Sequence, residues 1–362
     1  SCSVAIISTS LALSLLRHSA PPSESFVLSP SSLDSALSIV YVGTHGATEK
    51  ELTVLFLQGC VPKISTNSVF STPVPTIAVN DNTGVELTTA NRFYIDDSIT
   101  LDTLYQERVE EDFETKVVNL NLKNKEEAGT EMNKFVNETT SGMIEEVIKA
   151  DGISDDAKAI LINAIHFVGR STPCLPRLAS SRERRLAFMN HYAKTLRINH
   201  ADIGTVLLLP YKNDRYSFFY LMPNETSNLT KMRDELTGEK LFNALNGTSD
   251  ARLDISVPKF KIESKLDGTE VLKKLGVKRL FEDNAQLLKI SDTPLKVSKI
   301  THNAVLEVDE EGTRAGASTQ VEMIVEMAVP RIVIDRPFLF GILEKGDVIV
   351  DGYNFVFIGQ FV

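Results

Sequence analysis

The sequence of 362 residues contains no tryptophan, only three cysteines and no long run of lysine or arginine. Cys2, Cys60 and Cys174 are far apart and odd in number, which fits neither a zinc site nor a disulfide framework. The formal net charge is −10, and without a basic cluster nucleic acid and anionic membranes are poor candidate partners. The composition therefore predicts a protein with no nucleic-acid partner and no membrane partner.

Standard catalytic and cofactor motifs are also missing. The chain has no G-x-S-x-G, H-E-x-x-H, G-x-x-x-x-G-K or G-x-G-x-x-G segment, and its six histidines are scattered. We therefore do not expect an enzyme, a cofactor or a bound metal ion.

The first apolar segment, residues 4–16, resembles the core of a signal peptide but lacks its flanking features. No basic segment precedes it and no small-x-small cleavage site follows it. Its apolar residues recur on one helical face, and it is too short to span a bilayer, so it predicts a packing helix. We expect a cytoplasmic protein. Secretion is the alternative, because the chain has four Asn-x-Thr sequons, at Asn137, Asn224, Asn228 and Asn246.

Helical patterns dominate the first part of the chain and strand patterns the later part, which is typical of an α+β protein with large sheets. Ser29 followed by Pro30 predicts a helix start, with a hydroxyl cap before a first-turn proline. Residues 159–167 are apolar throughout and predict a buried central strand. A further strand is expected at 253–262. No linker or repeat interrupts the chain, so we expect one domain over residues 1–362.

The segment from Glu310 to Met323 alternates with the period of two that a β-strand requires. One set of side chains is small or apolar: Thr313, Ala315, Ala317, Thr319, Val321 and Met323. The opposite set is mostly polar: Arg314, Gly316, Ser318, Gln320 and Glu322. Because Gly316 and the small residues lower strand propensity, the same segment can also remain a flexible loop. The segment therefore suits two states, an exposed loop and a strand; the alternative is a linker of small residues, which would not predict the alternation.

The sequence resembles the serpin family over nearly its whole length. The matching hinge consists of Glu310, Glu311, Gly312, Thr313, Arg314, Ala315, Gly316 and Ala317. Other matching stretches occur in the family's order, at residues 26–32, 133–136, 140–144, 162–167, 209–211, 257–260, 336–340 and 357–359. The resemblance implies the α+β serpin fold, with three β-sheets, about eight or nine helices and an exposed reactive-centre loop at about 310–335.

For inhibitory serpins the family implies a suicide-substrate mechanism and a metastable native monomer. A protease cuts the reactive-centre loop and forms an acyl-enzyme, and the loop then inserts into the main sheet and traps the enzyme. Serpin loop insertion is an established example of strand addition and of the release of stored strain. In this chain the inserting segment would be residues 313–325.

The resemblance also places the reactive bond. Thirteen residues beyond Thr313 is residue 326, and eleven residues before Pro337 is residue 326 again, so the expected bond is Glu326–Met327. The residues just before it, which read the protease subsites, are Met323, Ile324 and Val325.

A glutamate before the cut bond predicts an acid-preferring serine protease, resembling granzyme B, as the first target. Trypsin-like and chymotrypsin-like pockets should reject a buried, unpaired carboxylate. Papain-like cysteine proteases, resembling cathepsin L, are the second candidate, because they mainly read the preceding residue and Val325 is apolar. Cutting one residue away, at Val325 or Met327, would suit chymotrypsin- or elastase-like enzymes.

Two sets of supporting residues follow from the resemblance. Ser29, Ser32, Asn163 and His302 should form a polar network where the main sheet opens, a role that a satisfied core hydrogen-bond network would share. Glu310 and Lys259 should pair near the point of insertion, and such a pair contributes only about 0–1 kcal/mol if exposed.

The chain departs from the family pattern at three positions. Arg314 replaces the usual hinge glutamate, and the alternation puts it on the exposed face. Asn303 replaces the usual lysine, and Ser171 replaces the usual tryptophan. The last change suggests a looser opening region, which would favour latency or polymerisation.

Heparin binding is not expected, since residues 61–83, where some serpins build that site, contain one lysine, Lys63, and no arginine. The alternative function is a non-inhibitory serpin acting as a carrier, storage protein or chaperone. Bulky or charged residues on the inward face of the hinge would mark that class, and Thr313, Ala315 and Ala317 favour the inhibitor.

Overall fold

The computed structural model describes residues 3–58, 85–170, 188–211, 215–224, 229–309, 329–345 and 353–362. The helices are α1 Val4–Ser19, α2 Pro30–Tyr41, α3 Gly46–Leu57, α4 Thr103–Phe113, α5 Lys125–Thr139, α6 Leu229–Glu235, α7 Gly238–Asn246 and α8 Gly268–Lys274. The strands are β1 Phe26–Leu28, β2 Val85–Asp96, β3 Val117–Leu120, β4 Ala159–Arg170, β5 Phe188–Ala201, β6 Gly204–Pro210, β7 Tyr216–Met222, β8 Ser249–Pro258, β9 Phe260–Asp267, β10 Lys299–Asp309, β11 Arg331–Val333, β12 Phe338–Lys345 and β13 Tyr353–Phe361.

The described strands form two hydrogen-bonded sheets. The first has the order β3-β2-β4-β10-β9, and the second has the order β1-β13-β12-β7-β6-β5-β8-β11. The family resemblance leads us to expect three sheets. In the structure, two of the three expected sheets are joined into the eight-stranded sheet. The joining strand is the 14-residue β5, which pairs with β8 along most of its length and with β6 at its end.

Local signals account for the first helices. The Ser29 side chain accepts a hydrogen bond from the Ser32 backbone N–H at 3.1 Å, so it caps α2 as predicted, with Pro30 in the first turn. Ser3 caps α1 in the same way. The predicted packing helix is confirmed: α1 buries eight residues and runs three residues further than expected, to Ser19. None of the described helices is long and apolar enough to cross a membrane.

Strand β4 is covered on both faces, which explains its continuous apolar sequence. Ile165 and Phe167 point into the core between the two sheets. Ile160, Ile162 and Ala164 point to the other face, into the apolar cluster that packs under α5. The predicted buried central strand is therefore confirmed.

The single strand expected at 253–262 is instead two strands in different sheets. β8 ends at Pro258 in the larger sheet, and β9 begins at Phe260 in the smaller one. A proline has no N–H for the ladder, so it is a natural place for the chain to leave one sheet.

Candidate functional site: the β4–β10 seam

The centre of the five-stranded sheet is a parallel pair, β4 and β10, which we call the seam. The two strands are in register over eleven residue pairs, from Lys299 opposite Ile160 onward. Their outer neighbours, β2 and β9, pair with them antiparallel. Since β4 and β10 are hydrogen-bonded to each other, no strand lies between them.

The predicted reactive loop starts where β10 ends. β10 ends at Asp309, and the next strand, β11, belongs to the other sheet, where it pairs parallel with β8. The hinge residues 310–317, the subsite residues 323–325 and the bond Glu326–Met327 lie outside the described residues, as does Ser171. Lys259 lies half-buried between β8 and β9, and its expected partner Glu310 is outside the described residues.

The four residues expected to form the sheet-opening network lie together under the seam. Asn163 and His302 face each other across it in the β4–β10 register. The Asn163 Nδ2 donates to the Ser32 Oγ at 2.7 Å, and the Ser29 backbone N–H donates to the His302 Nε2 at 3.0 Å. None of the four side chains is exposed. The network therefore ties α2 to both strands of the seam.

These contacts fix the tautomer of His302. Its Nε2 accepts the hydrogen bond from Ser29, so the ring proton is on Nδ1, which donates to the Asn163 Oδ1. In that state both ring nitrogens are satisfied. Complete burial lowers the pKa of His302 to about 3, because the charged imidazolium would lose its hydration.

A further residue of the network has no signal in the sequence. Asn91 of β2 lies opposite Asn163 in the β2–β4 register and accepts a hydrogen bond from its Nδ2. Only the register brings the two asparagines together, so this contact could not be predicted without the sheet.

The segment between α5 and β4 is held from two sides. Asn133 of α5 accepts hydrogen bonds from the backbone N–H groups of Val147 and Ile148 and donates to the Ile148 carbonyl, at 2.8–3.1 Å. From β10, the Asn303 Nδ2 donates to the Glu146 carbonyl at 3.2 Å. Asn303, which replaces the usual lysine, therefore binds the backbone of the segment between α5 and β4.

The burial of neutral His302 predicts an acid-sensitive native state. Its folded pKa is below the unfolded value of about 6.5, so the unfolded chain binds the proton more tightly. The stabilising contribution is present above pH 6.5 and is lost as the pH falls toward 3, by up to about 1.4 kcal/mol per pH unit. We expect His302→Gln, which can keep one donor and one acceptor but does not titrate, to flatten the decrease in the thermal midpoint between pH 6.5 and 5.

The matched control is His18→Gln, at an exposed position on α1. It should reproduce the parent's pH profile. Equal slopes for the parent and His302→Gln would show that His302 does not contribute to the acid sensitivity.

No group of three or more potential metal-binding side chains is found in the part of the chain that the structure describes.

Comparison with known proteins identifies the family. A family model described as Serpin (serine protease inhibitor) matches residues 7–362. The chain belongs to the serpin family. Leukocyte elastase inhibitor from Bos taurus is 30% identical over 373 aligned positions, which cover 97% of this chain and 95% of that protein. Serine protease inhibitor 42Dd from Drosophila melanogaster is 29% identical, with 91% and 90% covered.

Solved serpin structures share the fold. Uncleaved ovalbumin superposes with a TM-score of 0.82 at 22% identity, with 99% of both chains covered. Serpin48 from the insect Tenebrio molitor gives a TM-score of 0.80 at 24% identity, covering 99% of this chain and 96% of that one. The predicted α+β serpin fold is therefore confirmed. Most serpins are protease inhibitors rather than enzymes, and some, such as ovalbumin, are non-inhibitory.

Proposed function

We propose that this serpin is a suicide-substrate inhibitor of endopeptidases. A protease cuts Glu326–Met327, and the acyl-enzyme is trapped when residues 313–325 insert between β4 and β10. The observation that carries the proposal is the closed seam, directly followed by a segment with strand alternation. The name of the bovine relative, Leukocyte elastase inhibitor, is consistent with this function.

The topology favours insertion at the seam. A chain that turns back after Asp309 runs antiparallel to β10, and therefore also antiparallel to β4, which is parallel to β10. Insertion would exchange one parallel ladder for two antiparallel ladders. Antiparallel pairing is slightly more stable per residue, and the number of interstrand hydrogen bonds increases.

The length of the segment matches the seam. At roughly 3.3 Å per residue, thirteen inserted residues span about 43 Å, and the twelve residues of β4 span about 40 Å. The acylated Glu326 would thus move from one end of the sheet to the other. The small or apolar set from Thr313 to Met323 would face the core, where the hydrophobic effect favours its burial.

The residue before the bond selects the enzyme. A glutamate side chain requires a primary pocket with lysine or arginine, because an unpaired buried carboxylate is strongly disfavoured. We therefore assign acid-preferring serine proteases, resembling granzyme B, as the first target class. Papain-like cysteine proteases are the second, because Val325 suits their preference for an apolar preceding residue.

The test is to incubate the serpin separately with a granzyme-B-like protease, a cathepsin-L-like protease and trypsin, and to run denaturing gels. With the first enzyme we expect an SDS-stable band at the summed mass of the two proteins less that of the C-terminal fragment, which is no longer covalently attached after acylation. Sequencing should show a released C-terminal fragment that starts at Met327 and contains 36 residues, about a tenth of the chain.

Catalytically dead protease is the matched control and should give no stable band. Complete cleavage by every enzyme without any stable complex would contradict the proposal, and would favour a carrier or storage role.

A further inference from the structure

A second buried histidine, His166, lies on the seam itself. It is on β4, in register with Thr88 of β2 and Val305 of β10. Its neighbours along the strand, Ile165 and Phe167, point into the core, so His166 points to the opposite face. It continues the row of β4 residues that begins under α5, and only 2% of it is exposed.

Unlike His302, His166 has a ring nitrogen that is not satisfied by a hydrogen bond. Its Nε2 is buried and has no hydrogen-bond partner among the residues that the structure describes. The neutral ring tolerates this at the cost of one unsatisfied nitrogen. An imidazolium would bury a charged N–H donor without an acceptor, which costs considerably more.

Charged groups on the neighbouring strands change the free-energy cost of protonating His166. Glu86 of β2 and Glu307 of β10 lie one step further along the same face, both opposite Val168, and favour the protonated ring. Lys261 of β9 opposes it, and its Nζ is 3.4 Å from the Glu307 carboxylate, which weakens the influence of that carboxylate. Burial is the largest effect, so the pKa of His166 is lowered from its ordinary value.

Opening the seam removes the burial. When β10 separates from β4, Val305 no longer lies beside His166 in the sheet, and water or a carboxylate can reach Nε2. The open sheet therefore binds a proton at His166 more tightly than the closed sheet, and acid shifts the equilibrium toward the open form.

We propose that His166 makes the opening of the β4–β10 seam pH-dependent, so that mild acid promotes separation of the two strands. The inference deepens the proposed function, because the same seam would admit the cleaved loop. The opening of the seam can be tested without a protease. A seam that does not respond to acid would leave the inhibitor proposal standing, and a failure to trap a protease would leave this inference standing.

Hydrogen–deuterium exchange with mass spectrometry, on the intact and uncleaved chain, tests the inference. Protection of β10 amides 303–308 is measured at pH 7.0 and 5.5, with each rate divided by its intrinsic rate at that pH. A group that titrates near 6.5 only in the open state changes the opening equilibrium by up to about eightfold over this interval. We expect the parent to lose protection by a factor of several, and His166→Phe to lose distinctly less.

His166→Tyr is a second variant, in case the phenylalanine disturbs folding. Since both variants retain His302, their difference from the parent isolates His166. Peptides from β13 report any unfolding that extends beyond the seam, since β13 is hydrogen-bonded within the other sheet and only packs against β4, through Phe357 and Phe167. Parallel pH profiles for the parent and a folded His166 variant would overturn the inference. So would a loss of protection that is equal in β13 and β10.

Discussion

Replacing Glu326 with arginine is expected to redirect inhibition from acid-preferring proteases to trypsin-like proteases. In an acid-preferring protease, the new arginine would enter a primary pocket that already contains lysine or arginine. In a trypsin-like protease, it would pair with the negative charge of the primary pocket. Leaving one charge buried and unpaired costs about 3–5 kcal/mol. At about 1.4 kcal/mol per factor of ten, the rate of complex formation should fall at least about 100-fold with the first class and rise similarly with trypsin.

The matched control is Glu326→Gln, which keeps the shape of the side chain and removes its charge. It should lose most of the activity toward the acid-preferring protease without gaining trypsin as a target. Second-order association rates measured with both enzymes check the prediction. Unchanged rates in Glu326→Arg would place the reactive bond elsewhere, with Val325 and Met327 as the nearest alternatives.

Under the proposed mechanism, replacing Thr313 with arginine should convert the serpin from an inhibitor into a substrate. Thr313 begins the set of side chains that would face the core after insertion, so an arginine there would bury an unpaired guanidinium. Cleavage after Glu326 should continue at the parental rate, since the bond is thirteen residues away. The fraction of events that end in an SDS-stable complex should fall at least about tenfold, corresponding to about 1.4 kcal/mol against insertion.

Arg314 supplies a control on the opposite face. By the alternation it stays exposed, so Arg314→Ala should inhibit like the parent. The ratio of cleaved serpin to stable complex, measured by gel densitometry, separates the two variants. If Thr313→Arg still traps the protease normally, residue 313 does not enter the core, and the proposed register of insertion is wrong.

The sequence predicted those features of the seam that have local signals. The cap at Ser29 and the apolar run of β4 follow from residue chemistry, and both are confirmed. Family resemblance selected Asn163 and His302, but a pattern of single residues does not give distances. Their contact depends on the parallel register of β4 and β10, whose two strands are separated by more than a hundred residues of chain.

Contacts created by register or by backbone geometry could not be predicted. Asn91 joins the network because β2 aligns it with Asn163, and His166 acquires its unsatisfied nitrogen from its position on a covered face. The sequence does not reveal the break at Pro258, because the apolar pattern of 253–262 continues across it. Alternation reports which residues share a face, but it does not report which sheet they join.

If the seam admits the cleaved loop as proposed, it is also a binding site for which strands of different origin can compete. Any extended segment with small side chains on one face could complete the sheet, including the loop of another molecule. A tethered segment acts at an effective concentration in the millimolar range for short flexible connections. At micromolar protein the chain's own loop should therefore outcompete the loops of other molecules by roughly a thousandfold. Low protein concentration should therefore limit insertion of one molecule's loop into the seam of another. Storage or synthesis at high local concentration should favour such insertion.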